Sequence, residues 1–287
     1  MSIKSIENIV MASFIGEIEA FKPGNVSSYA DGHNMTAEDF LISAEVSAPL
    51  LCEKNLGLGA RILNCVKATK KSVSCNTNLG MLLLFAPIIM AAELGYESIE
   101  KLKKNLEITL TSLTKSDANQ VFEAIFIAKP GGLGKTEEQD VSNKPNCSLL
   151  HAMQLASGRD SVALQYSNNF SEIFKLGFPA IKHFDKRWNS VKWSTVSCYL
   201  TFMASIKDTH IERKFGSEIA EQIKIKSGII VEKFNNSIDP EVSVELLRGF
   251  DRELKARNYN PGTSADLTAA SLLVYNLVNR EPKFLYS

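Results

Sequence analysis

Apolar residues recur every three or four positions over most of the chain, which is the spacing of amphipathic helices. The first such pattern covers residues 6–21, and Pro23-Gly24 ends it. Thr36-Ala-Glu-Asp39 resembles a capping box and predicts the start of a second helix. Further helical patterns follow at 62–69, 79–94, 98–113, 116–128, 148–158, 161–175, 190–206, 216–234, 242–257 and 263–279. The pattern at 79–94 is apolar on every side, which predicts a buried central helix.

Two stretches interrupt or weaken this helical pattern. Residues 129–146 contain several helix breakers and mixed charges, and they predict a long loop. Residues 191–203 are rich in β-branched and aromatic side chains, so a strand is an alternative there, although the stretch is long for one. Because no alternation of strands and helices and no repeat occurs, the sequence predicts one all-α domain over residues 1–287, built around the central helix.

Charge and composition exclude several classes of protein. Lys and Arg together number 32, as do Asp and Glu, so the formal net charge is zero. This balance argues against a general nucleic-acid binder or a binder of anionic membranes. The chain is 45% hydrophobic and 22% charged, which is typical of a globular protein and too apolar for disorder.

Cysteine content and hydropathy bear on location. The chain has five cysteines, an odd number, and none lie in a CxxC spacing, which favours a reducing compartment over a disulfide framework or structural zinc site. The N-terminal residues lack the pattern of a signal peptide. The longest apolar run, 79–92, is shorter than the roughly 20 residues that span a bilayer. We therefore expect a cytoplasmic protein that does not enter membranes.

Polar segments between the helices are the candidates for chemistry. Segment 19–33 places carboxylate, cationic, amide and imidazole groups close together, although a helix C-cap followed by a surface loop explains it equally well. Its candidate residues are Glu19, Lys22, Asn25, Asp31 and His33. Asn76, Thr77 and Asn78 precede the central helix, whose N-terminus suits a phosphate group, although one of them would suffice as a plain cap.

Three further segments carry glycines or charges. Gly131 and Gly132 lie in KPGGLGKT, which is not a P-loop because Lys129 stands where the first glycine is required; a glycine loop over a polyphosphate and a plain connector both remain open. In DTHIERKFG, Asp208 precedes the paired cations Arg213 and Lys214, although a solvated helix end is the simpler interpretation. In NPGTSAD, Ser264 is the expected cap, and the helix dipole accounts for Asp266.

Six segments in this order resemble the triphosphoribosyl-dephospho-coenzyme A synthase family. They are KPGNVSSYADGHNM, SCNTNLGMLLLFAP, KPGGLGKTEEQDV, MQLASGRDSVALQY, DTHIERKFG and NPGTSADLTAA. The resemblance implies an all-helical transferase that expels adenine from ATP and transfers the triphosphoribosyl group to the 2′-hydroxyl of dephospho-coenzyme A. Asn34 and Asn78 depart from members that serve citrate lyase and malonate decarboxylase, and they are similar to an archaeal and methylotroph branch.

The resemblance assigns roles to the candidates. Glu19 and Asp31 would stabilise the positive charge on the sugar or act as general base, and His33 would protonate adenine. Asp160 and Asp208 would hold Mg²⁺, with Lys22, Arg213 and Lys214 on the phosphates. The alternatives are a related pentosyltransferase with another small-molecule acceptor and a helical protein that binds a nucleotide without turnover.

Overall fold

The computed structural model describes residues 3–73, 75–131, 141 and 143–280, and every regular element among them is helical, which confirms the all-α prediction. The α-helices are α1 (Ile3–Glu19), α2 (Ala37–Leu51), α3 (Leu58–Ser72), α4 (Leu79–Glu93), α5 (Ile99–Thr111), α6 (Lys115–Ala128), α7 (Leu149–Ala156), α8 (Ser161–Ser167), α9 (Phe178–Trp188), α10 (Val191–Ser205), α11 (Thr209–Phe215), α12 (Ser217–Asn235), α13 (Val244–Ala256) and α14 (Gly262–Asn279). A π-helical turn (Ile173–Gly177) precedes α9, and a 3₁₀ turn (Pro240–Ser243) precedes α13.

Helix α4 is buried along nearly its whole length, as its apolar sequence predicts. It packs against α2, α3, α5, α8 and α14, and the Tyr166 hydroxyl donates a 2.6 Å hydrogen bond to the Leu83 carbonyl. Helix α14 is the second central helix and contacts α1, α4 and α10. None of the helices in the described ranges is both long and apolar enough to cross a bilayer.

The first turns of α4 and α14 lie side by side. A Cβ atom added at Gly80 in α4 would lie only 2.0 Å from the Asp266 Oδ2 atom in α14. Only glycine allows the two helix starts to approach this closely. The arrangement brings the polar residues before each helix to one place.

Several predicted boundaries are wrong. The 161–175 pattern is broken after Ser167, because Asn169 and Phe170 adopt positive φ angles that no α-helix accommodates. Helix α9 was not predicted at all. Ser264 is not the cap of α14, since that helix begins at Gly262. The helix over 190–206 and the capping box at Thr36 are confirmed.

A comparison of two capping boxes can measure how much one hydrogen bond between α3 and α6 contributes to stability. In each, an Asp accepts bonds from the backbone N–H and hydroxyl of a Thr three residues earlier: Asp39 from Thr36 and Asp117 from Thr114. Asp117 also accepts a 2.9 Å bond from the Gly59 N–H of α3. We expect Asp117→Ala to lower the free energy of unfolding by about 2–3 kcal/mol and Asp39→Ala by about 1 kcal/mol, as measured in urea. Equal losses would show that the bond between α3 and α6 contributes nothing.

Candidate active site

A cavity of about 420 Å³ opens where α4 and α14 begin. Its wall is completed by the ends of α6 and α7, the start of α8 and one side of α11. Sites for small molecules in proteins typically enclose roughly 300–1,000 Å³. Because segments that are far apart in the sequence meet here, the cavity is the candidate active site.

One wall of the cavity is apolar. It is formed by Phe40, Leu83, Ile125, Met153 and Val162, which come from five different helices. A wall of this kind offers dispersion contacts to a flat, uncharged ring and excludes water from it.

The mouth of the cavity carries four cationic side chains. Arg213 forms an ion pair with the Asp160 carboxylate. Lys129, Arg159 and Lys214 have no acidic partner in the part of the chain that the structure describes. Unpaired cations at the mouth of a cavity raise the local concentration of anionic ligands and bind them. This region therefore suits a polyphosphate.

Asp266 is the carboxylate at the bottom of the cavity. It receives no hydrogen bond from any described residue, and it packs directly over the Gly80 backbone. Burial raises the pKa of Asp266 well above its usual range, and the nearby carboxylates of Glu17, Asp208 and Asp160 raise it further, while the Lys22 ammonium group opposes this shift. When a positive charge develops beside a carboxyl group whose pKa is raised in this way, that charge favours the ionised form of the group and lowers its pKa.

Behind the cavity, Lys22 and Glu17 form a buried ion pair, with side chains 0% and 1% exposed. Burial lowers the pKa of Lys22 and raises the pKa of Glu17, while their mutual attraction opposes both shifts. The Lys22 ammonium group is thus held by Glu17 and does not line the cavity. The contact of Lys22 with phosphate stays a prediction, and the buried position of Lys22 does not favour it.

Two histidines face the cavity. His33, at φ 56°, donates from Nε2 to the Gly24 carbonyl at 2.8 Å. Burial lowers the pKa of His33, and burial together with Lys214 and Arg213 lowers the pKa of His210 to about 3. Both rings are therefore neutral at pH 7 in the free protein. The role of His33 as a general acid stays a prediction.

Eight of the predicted site residues line this one cavity: Asn25, His33, Asn76, Thr77, Gly131, Asp160, Arg213 and Lys214. At the start of α4, Asn76 accepts from the Leu79 N–H, and Thr77 donates to the Ser43 hydroxyl at 2.6 Å. A Cβ atom at Gly131 would lie 2.9 Å from the Lys214 side chain, so the loop passes close to this cation.

Five predicted residues lie elsewhere: Glu19, Lys22, Asp31, Asn78 and Asp208. Glu19 is half-buried at the end of α1, and Asp31 is exposed, where it accepts from the Ala37 N–H at 3.2 Å. Asn78 points away and donates to the Ser47 hydroxyl at 3.1 Å. Gly132 lies outside the described residues.

Asp208 is a structural cap. Its Oδ1 accepts from the N–H groups of His210 (3.0 Å) and Ile211 (3.2 Å), and its Oδ2 from the N–H (2.7 Å) and hydroxyl (2.8 Å) of Ser264. All four lone pairs of the carboxylate are thereby used. No lone pair is left for the predicted contact with Mg²⁺.

Among the ionisable and amide side chains of the cavity, sequence reasoning missed five: Lys129, Arg159, His210, Asn260 and Asp266. A signal was present, because the form X-Pro-Gly occurs at 22–24, 129–131 and 260–262, and all three turns adjoin the cavity. Asp266 was assigned to the helix dipole, since nothing in a sequence shows that the start of α4 lies against it.

The sequence and the fold of the chain can be compared with known proteins. The profile of the CitG family, described as ATP:dephospho-CoA triphosphoribosyl transferase, matches residues 3–283. A crystal structure from Archaeoglobus fulgidus, named as a triphosphoribosyl-dephospho-coA synthase, is similar with a TM-score of 0.63 and 25% sequence identity. The match covers 82% of this chain and 97% of that chain. A search of curated proteins found no match.

Proposed function

The chain belongs to the CitG family of ATP:dephospho-CoA triphosphoribosyl transferases, and we propose that its cavity is where ATP loses adenine and passes its triphosphoribosyl group to a hydroxyl of dephospho-CoA. The observation that carries this proposal is that unpaired cations, an apolar wall and an unpartnered carboxylate meet in one cavity. These are the three environments that a triphosphate, a purine and a reacting sugar require.

The three parts of ATP match three parts of the cavity. The triphosphate lies at the mouth, on Lys129, Arg159 and Lys214. Adenine, the leaving group, lies on the apolar wall that contains Phe40 and Met153. The ribose between them faces the bottom of the cavity, where Asp266 lies.

The transfer exchanges one bond at the anomeric carbon for another. The bond from C1′ to adenine N9 breaks and its electron pair leaves with adenine, which takes up one proton. The acceptor hydroxyl loses one proton as its oxygen bonds to C1′, so the protons balance. Positive charge develops on the ribose in between, and a nearby carboxylate stabilises it. Asp266 is placed to do this and to take the proton of the acceptor hydroxyl, because the burial that raises its pKa makes the anion a stronger base.

Magnesium fits this arrangement if the phosphates supply most of its ligands. No group of three or more His, Cys, Asp or Glu side chains that could hold a metal occurs in the described ranges. Mg²⁺ commonly uses one or two carboxylates plus substrate phosphates. Asp160 lines the mouth, and Arg213 is the one partner of its Oδ2 among the described residues, so we assign Asp160 this role and remove Asp208 from it. Bound Mg²⁺ would neutralise the triphosphate.

The cations at the mouth can be tested with tripolyphosphate alone. Lys214→Ala removes a cation that has no acidic partner in the described ranges. We therefore expect tripolyphosphate and ATP to bind about tenfold more weakly, as measured by calorimetry at low salt. Lys67→Ala is the matched control, because Lys67 is an exposed lysine paired with Glu123 and lies outside the cavity. Equal affinities in the two variants would move the phosphates away from this mouth.

The reaction class is tested by incubating the protein with ATP, Mg²⁺ and one acceptor at a time and following free adenine by chromatography. We expect adenine release that depends on dephospho-CoA. Adenine release with a different hydroxyl acceptor would keep the reaction and change the substrate. Binding of ATP without adenine release for any acceptor would favour a nucleotide-binding protein that lacks turnover.

A further inference from the structure

Two asparagines from opposite ends of the sequence form an amide pair in the cavity wall. Asn25 Nδ2 donates to Asn260 Oδ1 at 2.7 Å, and the two residues are 5% and 6% exposed. Asn25 directly follows the X-Pro-Gly turn at 22–24, and Asn260 begins the one at 260–262. The two turns pack together, since a Cβ atom at Gly24 would lie 2.9 Å from the Pro261 ring. The pair is therefore a fixed part of the wall.

The hydrogen bonding of this pair is incomplete. Asn25 Oδ1 is buried and has no partner in the described part of the chain. Asn260 Nδ2 also donates to no described group but, unlike Asn25 Oδ1, it is not fully buried and is open to the cavity. Buried amide groups are normally satisfied, because an unpaired one loses the hydrogen bonds it would make in water. Among the described residues, the pair therefore offers one buried acceptor without a partner, Asn25 Oδ1, and one donor open to the cavity, Asn260 Nδ2.

The bond from Asn25 also fixes the direction of the Asn260 amide. Because Asn260 Oδ1 is occupied by Asn25, the amide cannot turn over without losing this bond, and Nδ2 keeps its position beside the cavity. A neutral NH₂ group placed in this way donates to an oxygen atom of a ligand. Because it carries no charge, it adds less to the attraction of a polyphosphate than the cations at the mouth do.

The position of the pair indicates which oxygen this is. Asn25 adjoins Gly24, whose carbonyl holds His33, and Asn260 comes just before α14, which carries Asp266 in its first turns. Lys214 acts electrostatically on His33, so the cationic mouth is near. The apolar wall comes from other elements. In a nucleotide, the group between the phosphates and the base is the ribose.

We propose that Asn260 donates a hydrogen bond to a ribose hydroxyl of a bound nucleotide and that Asn25 is the positioning residue that orients the Asn260 amide. This inference rests on the proposed function, since it needs the triphosphate at the mouth. It makes the protein selective for ribonucleotides over deoxyribonucleotides. The donor ATP and the acceptor dephospho-CoA both carry a ribose, so the hydroxyl belongs to one of these two.

The test compares ligands that differ by one hydroxyl. Binding of ATP, 2′-deoxy-ATP, 3′-deoxy-ATP, tripolyphosphate and dephospho-CoA is measured by calorimetry for the wild type, Asn260→Ala, Asn25→Ala and the exposed control Asn236→Ala. If the hydroxyl is that of ATP, we expect the wild type to bind ATP about tenfold more tightly than the deoxy analogue that lacks it. Asn260→Ala should then lose this preference and keep its affinity for tripolyphosphate, and Asn25→Ala should reduce the preference in part. If the hydroxyl is that of dephospho-CoA, we expect Asn260→Ala to bind dephospho-CoA about tenfold more weakly than the wild type does.

The outcomes separate this inference from the function beneath it. The inference would be overturned if the wild type bound ATP and both deoxy analogues equally and Asn260→Ala bound dephospho-CoA as the wild type does. The first of these two measurements uses the wild type alone. A loss of tripolyphosphate affinity as large as the loss of ATP affinity in Asn260→Ala would also overturn the inference. A loss of dephospho-CoA affinity alone supports it and assigns the hydroxyl to the acceptor. A wild type that binds neither ATP nor tripolyphosphate would contradict the proposed function itself.

Discussion

Replacing Asp266 by Asn is expected to lower the rate of adenine release by at least about 100-fold, which is the lower range for loss of a positioned acid or base. Asn keeps the size of the side chain but cannot ionise, so it cannot become the anion that stabilises positive charge developing on the sugar. The fold should survive, because no described residue donates a hydrogen bond to Asp266. Steady-state rates and thermal unfolding of the same preparations measure both effects.

The raised pKa of Asp266 also predicts how the stability of the wild type and of Asp266→Asn differ with pH. The pKa of Asp266 is higher in the folded chain than in the unfolded chain, so the folded chain retains this proton as pH rises. Asp266 therefore reduces stability progressively above about pH 4, where the unfolded carboxyl ionises, until the folded group ionises too. Asp266→Asn removes this loss, and we expect it to unfold at a temperature equal to or above that of the wild type at pH 7.

Glu19→Gln is the matched control for this charge change. Glu19 was the sequence-based choice for the same role, but its side chain does not line the cavity. We expect full turnover and a change in stability within about 0.5 kcal/mol. Full activity in Asp266→Asn together with loss of activity in Glu19→Gln would place the chemistry outside this cavity.

Gly80→Ala should inactivate the enzyme by displacing Asp266. The added Cβ atom would lie 2.0 Å from Oδ2 and 2.4 Å from Cγ, so the carboxylate must leave its position. We expect a loss of turnover comparable to that of Asp266→Asn. In an Asp266→Asn background, Gly80→Ala should cost little more, because both changes act on one group.

The control for this substitution is Gly228→Ala in α12. Gly228 is also helical, and an added Cβ atom there meets nothing within 4 Å. It should stabilise the protein by about 0.5–1 kcal/mol, the usual gain for alanine over glycine in a helix, and leave turnover unchanged. A fully active Gly80→Ala would contradict the close contact between α4 and α14.

Local patterns predict the helices well because each helix buries a face that its own sequence encodes. The apolar run of α4 and the Thr36 capping box are of this kind. Helix α9 was missed because Pro179 is a helix breaker in most contexts, and here it lies in the first turn, where its missing N–H is harmless. The break at Asn169 and Phe170 depends on two left-handed residues, one of them a Phe, which carries no sequence signal for that conformation.

The sequence predicts which segments form the candidate site, but it does not predict the role of each residue in them. Asn25, Asp160 and Lys214 meet in the cavity as the motifs indicate. The functions of individual carboxylates depend on partners far away in sequence. Asp208 is fully used by Ser264, while Asp266 has no donor in the described part of the chain. Both contacts span helices that only the folded chain brings together, so neither can be read from local spacing.

The most direct test of the proposed reaction is mass spectrometry of a single time course with ATP, Mg²⁺ and dephospho-CoA. Our account predicts that free adenine and a triphosphoribosyl adduct of dephospho-CoA accumulate in equal amounts, because one bond at C1′ replaces the other. Formation of ADP, AMP or free phosphate from ATP, with no adduct on the acceptor, would contradict it.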